Sequence, residues 1–449
     1  MILKRGCGVA EGNSMTMWVL AQLDTSTRHS VDSVLAPHVY VFYASFLISF
    51  AFTPIMQVIA RQYGIMDMPD KVRKLHGTPV AYLGGVAVFL GWLAGLAFGQ
   101  FHIGAIDSAP QHTFVKISII LGAIVVVLLG LWDDIIHLKP SIKIAGQIAA
   151  AVLLLIEHVG DRCLDPLLSP LNERLVMLGW PPVPQGVMIV ASSAVVIFMV
   201  VGCCNATNLM DGLDGLCGGV TAVIAAGFLF LAVHLAAAGA DPDWDAVRVV
   251  LALALLGGVL GFIPFNFNPA SIFLGDTGSM FLGFACATMI LLLAQQQSRW
   301  FLAAMVMFAL PVLDTALALT RRFVNRRPWY SADRHHFHHQ LVARGYSVRK
   351  TVLISYGLSI GFALLGAMIV IMRTRYAVAV YLVTFGSIFV AAFKMGMVHE
   401  KTRIVSGGGT LDSEAIEGVE SEPTPGSVLE IRDMGEPEHE ERRTTASRK

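Results

Sequence analysis

The chain has 449 residues, 55% of them hydrophobic and only 14% charged, with 32 basic and 32 acidic side chains cancelling to a formal net charge of zero. This composition, with a mean hydropathy of +0.65, excludes an ordinary soluble globular domain and points to a polytopic membrane protein. The balanced charge provides no field that would gather nucleic acid.

Residues 1–38 are mixed and polar, with Lys4 and Arg5 but no apolar stretch ending in a small-residue cleavage site, so no cleaved leader is expected. From residue 39 the chain predicts an all-α fold of about eleven transmembrane helices, since a span needs about 20 mostly apolar residues. The apolar runs are 39–60, 81–101, 114–132, 144–158, 187–204, 217–238, 247–263, 279–294, 301–320, 351–372 and 377–393. The fourth is short and the seventh rich in glycine, so either is open to breakage, tilt or an interfacial position. The cysteines at 7, 163, 203, 204, 217 and 286 show neither zinc-type nor redox spacing and are expected to be small apolar fillers.

Lys and Arg in the short loops predict the orientation. Arg61, Lys71, Arg73 and Lys74 follow the first run, Lys139 and Lys143 the third, and a dense set from Arg321 to Lys350 the ninth. These loops are expected on the cytoplasmic side, with the N-terminus outside; Arg373 and Arg375 run against the rule. Residues 39–396 form the expected membrane domain, and 397–449, rich in Gly, Ser, Glu, Pro and Thr, an expected disordered cytoplasmic tail.

Carboxylates are costly near a bilayer, and here they gather where runs end. GLWDD closes one run at Asp133 and Asp134, NATNLMDGLDGL closes another through Asn205, Asn208, Asp211 and Asp214, and FLGDTGS opens a third with Phe273 and Asp276. On the predicted topology all three lie on the cytoplasmic face. Adjacent acids such as Asp133 and Asp134 suit magnesium ligation or proton acceptance, and Lys143 and Gln147 recur at helical spacing just beyond them. A glycine-rich helix cap accounts for Gly212 and Gly215 but not for two amides and two acids alongside them. The start of a helix at Gly275 offers backbone N–H groups suited to phosphate, although ordinary capping by Asp or Ser is the simpler account of that motif alone. In SADRHHFHHQL, Arg334, His336, His338 and His339 suit a diphosphate and a sugar better than zinc, for which no ligand set is complete.

Taken together, DMPDKVRKLHGTPVAYLGG from Asp67, DDIIHLKPSIKIAGQ from Asp133, NATNLMDGLDGL, FLGDTGS and HFHH resemble the polyprenyl-phosphate N-acetylhexosamine-1-phosphate transferases of the glycosyltransferase 4 family. The resemblance spans residues 67–341. It implies transfer of a sugar-1-phosphate from a UDP-N-acetylhexosamine to undecaprenyl phosphate, with release of UMP, at the bacterial inner membrane. It further implies Mg²⁺, or alternatively Mn²⁺, on Asp276 and Asp133, with Asp133 and Asp134 as the catalytic acids at the lipid phosphate. Asp211, Asp214 and Phe273 would face the nucleotide, and Lys74, Asn205, Asn208, Arg334, His336, His338 and His339 the rest of the substrate.

HFHH after Asp333-Arg334, LPVLDTALALTRR and FNFNPASIFLGD are similar to the branch that uses UDP-GlcNAc to start lipopolysaccharide or cell-wall glycans, rather than UDP-MurNAc-pentapeptide. His335 is an additional histidine before the motif, which leaves individual histidine roles open. One-step and covalent-intermediate routes, and a possible homodimer, also stay open. A cation-coupled transporter, the rival from another class, would place its acids mid-span in paired broken helices.

Overall fold

The computed structural model describes residues 29–68, 79–104, 115–239, 242–326, 336–394, 404–406 and 409–411. Two units divide the chain, Met1–His399 and Glu400–Lys449. Within the second unit, β3 (Ile404–Ser406) and β4 (Gly409–Leu411) form an antiparallel pair.

The first unit is built of helices. In chain order they are α1 (Val31–Leu35), α2 (Val39–Tyr63), α3 (Gly84–Gly104), α4 (Ile117–Ile136), α5 (Pro140–Ile156), α6 (Asp165–Met177), α7 (Gln185–Met210) and α8 (Leu216–Ala237). There follow α9 (Pro242–Asn266), α10 (Gly275–Ala294), α11 (Ser298–Met307), α12 (Ala309–Val324), α13 (Phe337–Ala343), α14 (Val348–Ile371) and α15 (Thr374–Lys394).

Seven of the described helices are long and apolar enough to cross a membrane: α2, α4, α7, α8, the Trp244–Asn266 part of α9, α10 and α14. The bent pair α11 and α12 makes an eighth if it counts as one span, and α3, α5 and α15 carry shorter apolar segments. Each apolar run of the sequence thus falls on a helix or on the bent pair. The chain is an all-α polytopic membrane protein.

α10 is the centre of the bundle. Every residue of its apolar window is buried, against 22% of the α2 window and 28% of the α14 window. Its sequence explains this: GDTGSMFLGFACATMILLLA has no polar stripe after the first turn, and a helix apolar on all sides belongs inside. α4, α7 and α3 pack around it, whereas α2 and α14 leave most of their apolar windows exposed.

Two features depart from the sequence expectation and a third bears on a point it left open. The ninth run is not one rod: α11 and α12 meet at 74°, where Pro311 lacks the N–H that would have bonded the Met307 carbonyl. The glycine-rich seventh run, by contrast, is continuous, because Gly257 and Gly261 sit against the α2 backbone at Phe42 and Phe46. Between the fourth and fifth runs lies α6, a helix too polar to register as a span.

Two loops are tied together beside α10. β1 (Met66–Asp67) pairs antiparallel with β2 (Val80–Ala81), and Ala81 bridges in parallel to Ile272. Phe273 N–H donates to the Ala81 carbonyl at 2.8 Å, and Gly84 and Gly85 N–H donate back to Phe273 and Leu274. This lacing fixes where α10 starts.

Candidate active site

Four helices converge at the start of α10, each bringing one polar turn. The end of α4 supplies Asp133 and Asp134, the first turn of α10 supplies Asp276, α5 supplies Lys143 and Gln147, and the end of α7 supplies Asn205 and Asn208.

Asp134 caps α10 from outside that helix. Its Oδ1 accepts from Asp276 N–H at 2.8 Å, and its Oδ2 accepts from Thr277 N–H at 3.0 Å and Thr277 Oγ1 at 2.6 Å. This corrects one expectation: the first N–H groups of the helix are committed to a carboxylate of the chain itself and are not open to phosphate.

Asp133 points to the other side. Its Oδ1 accepts from Leu138 N–H at 2.6 Å, closing the turn after α4, and its Oδ2 lies 2.5 Å from Lys143 Nζ. The same Nζ lies 2.6 Å from Asp276 Oδ2. Asp276 Oδ1 in turn accepts from Asn208 Nδ2 at 2.8 Å, and that amide also reaches Ser279 Oγ at 3.0 Å. One helical turn earlier, Asn205 Nδ2 donates to Oε1 of the buried Gln147 at 2.8 Å. The spacing 205/208 on α7 and 143/147 on α5 sets these contacts on facing helix surfaces.

The next segment turns sharply after α7. Asp214 Oδ2 accepts from Asn268 Nδ2 at 2.9 Å and Ala270 N–H at 3.0 Å, so this acid organises the loop before α10. Gly215 takes the left-handed conformation with φ 78°, donates to Asn266 Oδ1, and accepts from Tyr356 Oη at 2.5 Å. Asp211 has no hydrogen-bond partner for its carboxylate among the described residues. Burial, reinforced by the negative charges of Asp276, Asp134 and Asp214, holds its carboxyl well above the usual range. Phe273 meets Tyr82 edge to face at 6.2 Å, and burial beside Asp67 raises the Tyr82 hydroxyl.

The histidines gather on Asp314 of α12. Its Oδ1 accepts from Phe337 N–H at 2.8 Å, its Oδ2 meets His336 Nδ1 at 3.1 Å, and the same oxygen lies 3.9 Å from His338 Nδ1. The His338 and His339 rings are 4.3 Å apart. Gly212 adjoins His338, which joins this cluster to the 211–215 turn. Lys74 and Arg334 lie outside the described residues.

Among the described residues no three His, Cys, Asp or Glu side chains are grouped to hold a metal ion. Two carboxylates nevertheless aim at a single cationic atom, Lys143 Nζ. Mg²⁺ is commonly held by one or two carboxylates with phosphate oxygens and water completing its shell, so the Asp133 and Asp276 pair fits such an ion. A cationic centre, an amide donor and acids thus lie together where these helices meet.

The glycosyl transferase family 4 model matches residues 116–294, which include α4, α5, α7 and α10. The probable undecaprenyl-phosphate N-acetylglucosaminyl 1-phosphate transferase of Bacillus subtilis (strain 168) is 31% identical over 376 residues, covering 83% of this chain and 96% of that protein. The chain belongs to glycosyl transferase family 4. The decaprenyl-phosphate N-acetylglucosaminephosphotransferase of Mycobacterium tuberculosis (strain CDC 1551 / Oshkosh) is 32% identical, covering 72% of this chain and 80% of that one. A phospho-N-acetylmuramoyl-pentapeptide-transferase of Bacillus thuringiensis (strain Al Hakam) is 29% identical, with coverages of 72% and 94%.

As a member of family 4 the chain has polar groups at this site that motif reading left without a role. Lys143 and Gln147 were visible only as helical repeats beyond the paired acids, and Thr277 and Ser279 only as part of the GDTGS string. Asp314 carried one signal, an acid inside the apolar run LPVLDTALAL, where a carboxylate calls for a purpose.

Proposed function

We propose that this chain transfers GlcNAc-1-phosphate from UDP-GlcNAc to undecaprenyl phosphate, releasing UMP and starting a lipid-linked cell-envelope glycan. In the transfer, a polyprenyl-phosphate oxygen bonds to the sugar-bearing phosphorus as that phosphorus loses its bond to UMP. One observation carries this reading: Asp133, Asp276 and Lys143 meet at a point that the Asn208 amide of α7 also reaches. The two relatives of highest identity reported above are polyprenyl-phosphate GlcNAc-phosphate transferases by name, which favours UDP-GlcNAc over the muramoyl-pentapeptide donor.

Both reacting phosphates are anionic, so the first obstacle is charge repulsion. Lys143 supplies fixed positive charge beside the reacting groups. Asp276 and Asp133 would hold Mg²⁺, or Mn²⁺ in its place, which when bound neutralises the donor diphosphate. Asp133 would also receive the proton of the lipid phosphate. Asp134 acts through the start of α10, which it fastens. Asn208 orients Asp276, and Asn205 orients Gln147 behind it. Asp211 and Asp214, with Phe273, frame the nucleotide, Asp214 doing so by holding the Asn268–Ala270 turn. Lys74 and Arg334 supply further charge for the diphosphate.

The polyprenol must enter from lipid. α12 leaves α11 at 74° and exposes Leu319 and Phe323, an apolar flank that suits an isoprenoid chain. The arginine- and lysine-rich loops support an orientation with this end of the bundle in the cytoplasm, the N-terminus outside and the protein in the bacterial inner membrane. Eleven crossings follow if the bent pair and the three shorter apolar helices all span.

Purified protein with undecaprenyl phosphate, Mg²⁺ and a panel of UDP-sugars tests the reading by UMP release. Release with UDP-GlcNAc is expected; no release with any sugar overturns the transferase function, and release with UDP-MurNAc-pentapeptide alone overturns the donor.

A further inference from the structure

Little of the α14 apolar window is buried, yet one face of this helix is fastened to the turns around the site. Tyr356 Oη donates to the Gly215 carbonyl at 2.5 Å, and two helical turns earlier Arg349 Nε donates to the Asn268 carbonyl at 3.0 Å. That separation puts both side chains on the same side of the helix. From one face, α14 therefore reaches both the turn after α7 and the loop before α10.

Those two segments are also tied to each other. Asn266 is buried; its Oδ1 accepts from Gly215 N–H at 3.1 Å, and its Nδ2 donates to the Ile272 carbonyl at 2.9 Å. Asp214 adds a second tie through Asn268 Nδ2 and Ala270 N–H. The Gly215 carbonyl already accepts from Gly219 N–H at 3.0 Å, the first hydrogen bond of α8, so the phenol is not needed to satisfy that oxygen. What the phenol adds is a fixed place for the turn. The chain is shaped to admit it: a Cβ on Gly219 would overlap the hydroxyl end of the Tyr356 ring.

We propose that Tyr356 is a positioning residue for the nucleotide donor: from α14 it holds the Gly215 turn and, through Asn266 and Asp214, the loop that ends in Phe273. Asp211 and Asp214 sit on the first of these segments and Phe273 on the second, so the groups that frame the nucleotide all ride on the tied backbone. The proposal rests on the transferase reading and divides its two substrates. None of these hydrogen bonds involves Asp133, Lys143 or Asp276, so loosening the tie acts on the donor and leaves the charges at the lipid phosphate in place.

The test uses the full-length protein, with UDP-GlcNAc and undecaprenyl phosphate varied in turn. Tyr356→Phe keeps the ring and removes only the hydroxyl. It is expected to raise KM for UDP-GlcNAc about fivefold and to weaken inhibition by added UMP by a similar factor, with kcat and KM for undecaprenyl phosphate within about twofold of the wild type. Gly219→Ala, whose methyl group displaces the phenol, should reproduce the donor effect, and in a Tyr356→Ala background it should add nothing. A merely structural role would lower the melting temperature and kcat and leave both KM values and the UMP inhibition where they are. The idea is overturned by that pattern, by an equal rise in KM for both substrates, or by full additivity of Gly219→Ala with Tyr356→Ala. Tyr356→Phe carries the test by itself should Gly219→Ala fail to fold. Absence of UMP release with any UDP-sugar in the wild type would instead overturn the transferase reading.

Discussion

Lys143 Nζ lies 2.6 Å from Asp276 Oδ2, so the middle of the site is closed by an ion pair between α5 and the start of α10. Asp133 shares the same ammonium at 2.5 Å. Removing the lysine leaves two carboxylates facing each other in a partly buried place. Lys143→Met should therefore lower kcat/KM about a hundredfold or more and shift the Mg²⁺ dependence of UMP release, the magnitude expected when one fixed charge is lost from a transition-state site. Lys143→Arg keeps the charge but not the compact geometry and should recover only part of it. Unchanged kinetics in Lys143→Met would remove the lysine from the chemistry.

The paired aspartates separate by role. Asp133 binds the shared cation, and Asp134 caps α10 with three hydrogen bonds. Asp133→Asn should abolish turnover with little change in thermal unfolding. Asp134→Ala should lose activity and also melt about 1–3 °C lower, since losing such a cap costs about 1–2 kcal/mol. Equal melting temperatures for the two variants would contradict this division.

Asp276→Asn tests the metal assignment through binding as well as rate. The neutral amide still meets Asn208 but leaves Asp133 as the sole carboxylate on the cation locus. Mn²⁺ binding followed by electron paramagnetic resonance should weaken at least tenfold, with UMP release falling about a hundredfold to a thousandfold. Retained Mn²⁺ affinity would move the metal elsewhere.

Much of this site was legible because its chemistry is written in short strings. Asp133, Asp276, Asn208 and the histidines were each recognisable by residue type beside a run end, and the apolar runs gave the helices. The contacts were not legible, because they join residues far apart in sequence. Nothing local says that Asp134 turns to α10 while its neighbour Asp133 turns to Lys143, a choice set by the helical rotation between adjacent residues. Asp314 was hidden for the same reason: its partners, His336 and Phe337, lie on the next element. The break before α12 was readable in principle from Pro311, but apolarity alone ran through it as one span.

The charge on Asp211 gives a pH prediction for the protein without metal or substrate. Its carboxyl is held above the usual range by burial and by Asp276, Asp134 and Asp214, so the folded state binds this proton more tightly than the unfolded chain does. Its contribution to stability is fully present below the ordinary carboxylate pKa of about 4 and is lost as pH rises to the folded value. Asp211→Asn removes that loss, because the amide never ionises. With chelator present, the variant should melt higher than the wild type at pH 8, and the difference should shrink towards pH 4; a difference that grows on acidification would refute the assignment.

Gly275 shows how tightly the cap is built. It adopts φ 71°, and a Cβ there would fall 2.7 Å from Asp134 Oδ2, the oxygen that binds Thr277. Gly275→Ala therefore combines left-handed strain of about 1 kcal/mol with displacement of the capping carboxylate. The expected result is a melting temperature at least as low as that of Asp134→Ala, together with loss of activity. Combining the two changes resolves the coupling. If both act through the same cap, Gly275→Ala should cost much less stability when Asp134 is already alanine, since the oxygen it would displace is gone. Full additivity in the double variant would mean that the glycine serves the backbone alone.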